Sequence, residues 1–106
     1  AKAPARAREA LQSVRKRFPR TNAAAKAAYA LGRIAFDTQR KYGAAATWFQ
    51  TYLDERPSGA LKREALGRLI ESHRRSGASG PAKQAAQRYL DRYPDGPHAD
   101  IARQAL

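Results

Sequence analysis

The segment Trp48-Phe49-Gln50-Thr51-Tyr52-Leu53-Asp54-Glu55-Arg56-Pro57 returns in shortened form as Gln87-Arg88-Tyr89-Leu90-Asp91-Arg92-Tyr93-Pro94. Tyr52-Leu53-Asp54 matches Tyr89-Leu90-Asp91, and Pro57 matches Pro94. Each copy reads as an amphipathic helix brought to a stop by proline, which cannot continue the hydrogen-bond ladder. Upstream, Ala30-Leu31-Gly32-Arg33-Ile34 is matched by Ala65-Leu66-Gly67-Arg68-Leu69, so the repeated unit is a pair of helices and not one helix found twice.

Working outward, alanine and arginine favour helix, and no segment alternates as a strand would. The punctuation predicts six helices, over 5–18, 21–38, 41–55, 59–76, 81–92 and 97–106. The expected fold class is therefore all-α, built from stacked antiparallel helical hairpins in a single domain. A half-unit at 5–19 precedes repeat one (21–57) and repeat two (58–94), and 95–106 is a capping or truncated next helix.

Helical spacing gives each segment an apolar stripe. The first carries Ala7, Leu11, Val14 and Phe18, with Arg8, Arg15 and Lys16 turned elsewhere; the second carries Ala24, Ala28, Leu31 and Ala35, supplemented by Ala27 and Ile34, after a cap at Thr21 or Asn22. Trp48, Phe49, Tyr52 and Leu53 form the bulkiest group. Leu61, Ala65, Leu66, Leu69 and Ile70 line the fourth helix, and Ala85, Ala86, Tyr89 and Leu90 the fifth. A glycine inside a helix costs about 1 kcal/mol relative to alanine, so Gly32 and Gly67 are expected to let the paired helix cross closely. The linker Gly77-Ala78-Ser79-Gly80 reads as about two residues longer than the one around Lys41-Tyr42-Gly43.

The chain of 106 residues has a net charge of +12 and no cysteine, which removes disulfides and thiolate metal sites. Residues 1–20 hold seven basic side chains, Lys2, Arg6, Arg8, Arg15, Lys16, Arg17 and Arg20, against Glu9 alone. Such a field attracts nucleic acid, anionic lipid or an acidic protein surface. No apolar run approaches the roughly 20 residues that span a bilayer. The start, Ala1-Lys2-Ala3-Pro4, lacks an apolar signal core and an initiating Met, and a chain opening in mid-unit is expected to be an excised piece of a longer protein.

Signatures of chemistry are missing from the sequence. There is no Gly-rich phosphate loop with its Lys, no spaced histidine pair and no nucleophile elbow. His73 and His98 read as surface or capping residues, and Asp54 and Asp91 as anchors of loops or partners in surface pairs. No catalytic, cofactor-binding or metal-binding residue is assigned, and the chain is expected not to be an enzyme.

The phrase Phe49-Gln50-Thr51-Tyr52-Leu53-Asp54-Glu55-Arg56-Pro57-Ser58, with Tyr89-Leu90-Asp91-Arg92-Tyr93-Pro94-Asp95-Gly96, resembles the unit junction of tetratricopeptide repeats (TPR). It looks most like the repeats of bacterial outer-membrane assembly lipoproteins and of TolA-binding cell-division coordinators. Leu31-Gly32 and Leu66-Gly67 fit that family's first-helix signature, and Ala44 or Ala45 with Trp48 fit its second helix. The fold-defining residues on this reading are Leu31, Gly32, Trp48, Phe49, Tyr52, Leu53, Pro57, Leu66, Gly67, Tyr89, Leu90 and Pro94. The resemblance covers roughly residues 22–106 and implies a short right-handed solenoid. It also implies a non-catalytic protein-binding scaffold, a module of a larger bacterial envelope or regulatory protein, placed in the periplasm or cell envelope, with the cytoplasm as alternative.

In such scaffolds the first helices line a concave surface that holds a peptide or protein. Carried onto this chain, the expected surface is Lys26, Arg33, Asp37 and Arg40 on the second helix with Lys62, Arg68, Glu71 and Arg75 on the fourth, and an acidic partner is complementary to the charge. Two other readings stay open. One is electrostatic nucleic-acid binding through the basic first helix and Arg63, Arg68, Arg74 and Arg75; the other is a structural module that oligomerises through the open ends of its stack.

Overall fold

The computed structural model describes residues 2–106, with side chains from residue 5 onward. Every regular element among the described residues is helical: α1 (Lys2–Arg17), α2 (Asn22–Arg33) continued by a π turn (Ile34–Thr38), α3 (Tyr42–Glu55), α4 (Lys62–Arg75), α5 (Ser79–Arg92) and α6 (Ala99–Ala105). Each helix packs on the next in sequence, and α6 also folds back on α4. The result is an all-α domain with a stacked, repeat-like arrangement of six helices.

The opening motif owes its duplication to a loop closure that recurs in both copies. Tyr52 and Tyr89 are almost fully buried. Their hydroxyls accept the backbone N–H of Leu61 at 3.0 Å and of His98 at 2.9 Å, respectively. Each bond satisfies a donor just ahead of the next helix, where no intrahelical acceptor exists. Arg56 and Tyr93, each preceding a proline, are both driven out of the helical region to φ −134°. Gly59 and Gly96 follow inside the turn, where a Cβ would run into the hydroxyl of Tyr52 or Tyr89. Asp54 and Asp91 accept from Gln50 at 2.8 Å and Gln87 at 3.0 Å on the exposed face, making the expected surface pairs.

Buried residues fix how α2 superposes on α4. Ala27, Ala28, Leu31 and Gly32 are buried in one, and Ala65, Leu66, Leu69 and Ile70 in the other, with the same spacing. The literal match of Leu31-Gly32 with Leu66-Gly67 is thus one helical turn out of structural register. All four residues are core, but Gly32 is the counterpart of Ile70, and Tyr29 that of Gly67. A Cβ on Gly32 would lie 2.7 Å from the Phe49 ring, so this glycine does admit the paired helix. In the next hairpin the volumes are exchanged: Ile70 and Ala86, the counterparts of Gly32 and Phe49, are both fully buried.

Gly67 serves another purpose, and here the expectation of close helix crossing fails. Its missing side chain leaves a slot for the His98 imidazole, which a Cβ would meet at 2.5 Å. That ring stands edge-on to Tyr89 at 5.7 Å, as the Tyr29 ring stands to Tyr52 at 5.9 Å. An imidazole delivered from the following loop replaces an aromatic ring that α2 supplies from its own length.

The hairpin linkers are equal, with three residues between Thr38 and Tyr42 and three between Arg75 and Ser79. The length difference read from the sequence lies inside the first helices. Seven residues separate Gly32 from Arg40 and six separate Ile70 from Gly77. The additional one is absorbed in the π turn, marked by Gln39 N–H donating to the Ile34 carbonyl at 3.1 Å. Both helices then close on a left-handed residue, Arg40 (φ 55°) and Gly77 (φ 80°), whose successors' N–H groups reach back to the Ala35 and His73 carbonyls.

At the N-terminal end, Thr21 caps α2, accepting the Ala24 N–H at 3.1 Å. Several expectations for α1 change. Ala7, placed on the apolar stripe, is exposed, and Arg8, expected to turn elsewhere, is half-buried, because the less exposed face of α1 runs through Arg8, Leu11, Val14 and Arg15. Phe18 is not part of a buried stripe but 55% exposed. Arg15, expected to turn away, faces the stack: it binds Glu55 with both terminal nitrogens (3.0 and 2.8 Å), donates to the Ala24 carbonyl at 2.8 Å, and lies 5.6 Å over the Trp48 ring. The Arg15 hydrogen bond holds the Glu55 carboxyl below its ordinary pKa.

Candidate binding face

The π turn at the end of α2, the start of α3 and the middle of α4 converge on two rings, Phe36 and Tyr42, set edge to face at 5.0 Å. Arg68 and Arg75 each lie over the Phe36 ring, at 5.4 and 5.3 Å, and Arg75 also lies over Tyr42 at 5.5 Å. Two guanidiniums on one ring repel, and the acids that separate them are in place. Asp37 accepts from Arg68 at 2.8 Å, and Glu71 sits 3.6 Å from both Arg74 and Arg75. The Asp37–Arg68 pair ties the first helices of the two hairpins to one another.

Of the residues expected on the binding surface, the fold brings Asp37, Arg40, Arg68, Glu71 and Arg75 around this aromatic pair. A recess of about 310 Å³ opens there between Phe36, Asp37, Arg40, Tyr42 and Arg75. Arg33 lines an adjoining recess of about 260 Å³ with Ala30, Ile34, Asp37 and Thr38. Lys26 is exposed and Lys62 half-buried, and neither lines these recesses or forms an ion pair among the described residues. The same holds for ion pairing at Arg33 and Arg40. Both acids of the cluster are engaged, and these exposed cations are not.

Three aromatic members of the face, Tyr29, Phe36 and Tyr42, were absent from the expected set. Tyr29 is half-buried against Phe49 at 5.5 Å, and burial raises its pKa while Arg68 and Arg33 pull the other way. A sequence signal for Phe36 and Tyr42 would have been their position on either side of the turn that ends α2. Arg75 donates to the Tyr42 hydroxyl at 3.4 Å, a contact that raises its pKa further.

A larger groove of about 640 Å³ runs between α3 and α5, floored by the end of α4. Its lining is neutral apart from Asp54 and His73, whose pKa is lowered by burial. Among the described residues no group of His, Cys, Asp and Glu is arranged to hold a metal ion, and no helix is long and apolar enough to cross a membrane. No protein-family model matches the sequence, and comparison with curated proteins gives no match.

Proposed function

We propose that this chain is a TPR-like interaction scaffold whose α2 and α4 line a binding surface for an extended acidic peptide. The observation that carries the reading is the charge arrangement on that surface. Asp37 and Glu71 are consumed by Arg68, Arg74 and Arg75, while Arg33 and Arg40 are exposed and form no ion pair among the described residues. An acidic segment laid along the face exchanges water for charge-assisted bonds without displacing an internal pair. The right-handed course of the stack, its place in a bacterial envelope or regulatory protein, and a non-catalytic role belong to the same proposal, supported by the motif resemblance.

The nucleic-acid reading draws its support from the basic residues around α1. Against it, Arg63, Arg68, Arg74 and Arg75 each face a carboxylate in the folded chain, which reduces the charge available to phosphates. The oligomerisation reading is supported by Phe18 and Leu106, large apolar side chains exposed near the two ends of the chain.

Fluorescence anisotropy with labelled peptides and a duplex oligonucleotide separates these readings. The expected result is saturable binding of an Asp-rich peptide and none of its Asn-substituted twin, surviving at near-physiological salt. Binding of the duplex alone, with an affinity that collapses as salt rises, would overturn the proposal in favour of phosphate contacts. Sedimentation over a wide concentration range tests self-association.

A further inference from the structure

Arg40 occupies a backbone position for which an arginine is poorly suited. With φ 55° it is the left-handed residue closing α2, and the corresponding residue closing α4 is Gly77. Side chains with a Cβ enter this region at a cost that glycine escapes. A residue held at such a cost is a pointer to function when its side chain has somewhere to act. The Arg40 side chain does: it borders the recess that Phe36, Asp37, Tyr42 and Arg75 complete.

Donors from the α2–α3 linker, α3 and α4 share that recess. The Asp37 carboxylate is neutralised by Arg68 at 2.8 Å. Tyr42 accepts from Arg75, which leaves its own hydroxyl hydrogen free to donate. Arg40 brings an always-charged fork of N–H groups and no internal ion pair among the described residues. The Phe36 and Tyr42 rings supply an apolar wall that raises the worth of each such bond.

The geometry points to a carboxylate-binding subsite in which Arg40, assisted by Arg75 and the Tyr42 hydroxyl, takes one Asp or Glu side chain of the bound peptide. This rests on the peptide-binding reading and names the position at which the acidic partner is anchored. The π turn has a part in it, because the one additional residue sets where α2 ends and so carries Arg40 to the rim of the recess.

The decisive variant is Arg40→Gly. It removes the guanidinium and relieves the backbone at the same position, so function and stability are expected to move in opposite directions. The probe is a short fluorescein-labelled peptide of alternating Asp and Ser, with an Asn-for-Asp peptide and a phosphoserine-for-Asp peptide as comparison arms. The expected result is that Arg40→Gly weakens Asp-peptide binding about tenfold or more, while its thermal midpoint equals or exceeds that of the parent chain. Lys83→Gln, on the exposed face of α5, is expected to bind as the parent does. The Arg40 and Arg75 Nε–H resonances should shift when the Asp peptide is added.

Equal binding by the parent and Arg40→Gly would overturn the subsite and leave the peptide-binding face standing. No binding by the parent would overturn both. Tighter binding of the phosphoserine peptide, lost in Arg40→Gly, would overturn the assignment to carboxylate in favour of a phosphorylated side chain.

Discussion

The exchange of volume between the two hairpins predicts that Gly32→Ala will change sign with its background. In the parent chain the new Cβ would stand 2.7, 2.9 and 3.0 Å from three atoms of the Phe49 ring. Forcing a methyl into a packed interior costs about 1 to 3 kcal/mol, and replacing a helical glycine by alanine returns about 1 kcal/mol. The net expectation is a loss of up to about 2 kcal/mol, large against the roughly 5 to 15 kcal/mol total of a domain this size. With Phe49→Leu in place the ring atoms are gone, the steric term disappears, and the same substitution should stabilise by up to about 1 kcal/mol. The resulting coupling, about 2 kcal/mol, falls within what contacting residues show. Urea unfolding followed by far-UV circular dichroism on the four chains measures it. Gly43→Ala, where a Cβ meets nothing within 4 Å, provides the control and should stabilise by about 0.5 to 1 kcal/mol in both backgrounds. If Gly32→Ala costs the same with and without the Phe49 ring, the pairing of Gly32 with Phe49 is wrong, and the register drawn from it falls too.

Tyr52→Phe and Tyr89→Phe each strand a backbone donor, of Leu61 or His98, and should cost about 1 to 3 kcal/mol by chemical denaturation. Amide exchange faster at those two residues than elsewhere would identify the cause. Arg15 lowers the pKa of Glu55, so the pair stabilises the fold above about pH 4.3, the ordinary Glu value, and the contribution is lost as pH falls through the depressed folded value. Glu55→Gln should remove that part of the acid sensitivity, and an unchanged acid profile would count against it. His98 is pushed below its ordinary pKa chiefly by burial in the Gly67 slot, so its neutral form favours the fold. Stability should hold above about pH 6.5, the unperturbed His value, and fall as the pH drops toward the lowered folded pKa. His98→Phe, which still fills the slot, should leave a shallower decline carried by His73, and an undiminished decline would contradict the assignment.

The sequence was most informative where local chemistry and long-range packing agree. Helix ends, the Thr21 cap and most apolar stripes follow from spacing and from the residues allowed at helix termini. Register was harder, because moving α4 by three residues keeps its apolar side chains on almost the same face. The string Leu-Gly-Arg was then more persuasive than the slower pattern of burial. A glycine's purpose is not written in its own helix: what Gly32 admits comes from α3, and what Gly67 admits comes from the loop before α6. The π turn carried no proline or glycine to announce it. Arg15 could not be placed because its partner, Glu55, lies on α3 far along the chain and obeys no periodicity shared with α1. Of the candidate face, helix phase picks out Arg33, Asp37, Arg68, Glu71 and Arg75, while Lys26 and Lys62, chosen the same way, lie off it and Arg40 sits past the end of the helix. Phe36 and Tyr42 were not legible, since their meeting depends on how the π turn re-aims the chain.

The two tyrosine hydroxyls carry a mechanical consequence. Each bond joins the second helix of one hairpin to the doorway of the next helix, nine residues later, so it belongs to neither neighbour alone. In stacked architectures the strength of such junctions sets how far along the chain a local opening spreads. Tension applied to the two ends loads these junctions, with buried rings as their anchors. The bond between Tyr52 and Leu61 therefore ties the two complete hairpins together, while the equivalent bond at Tyr89 adds to the packing of α6 on α5 and α4.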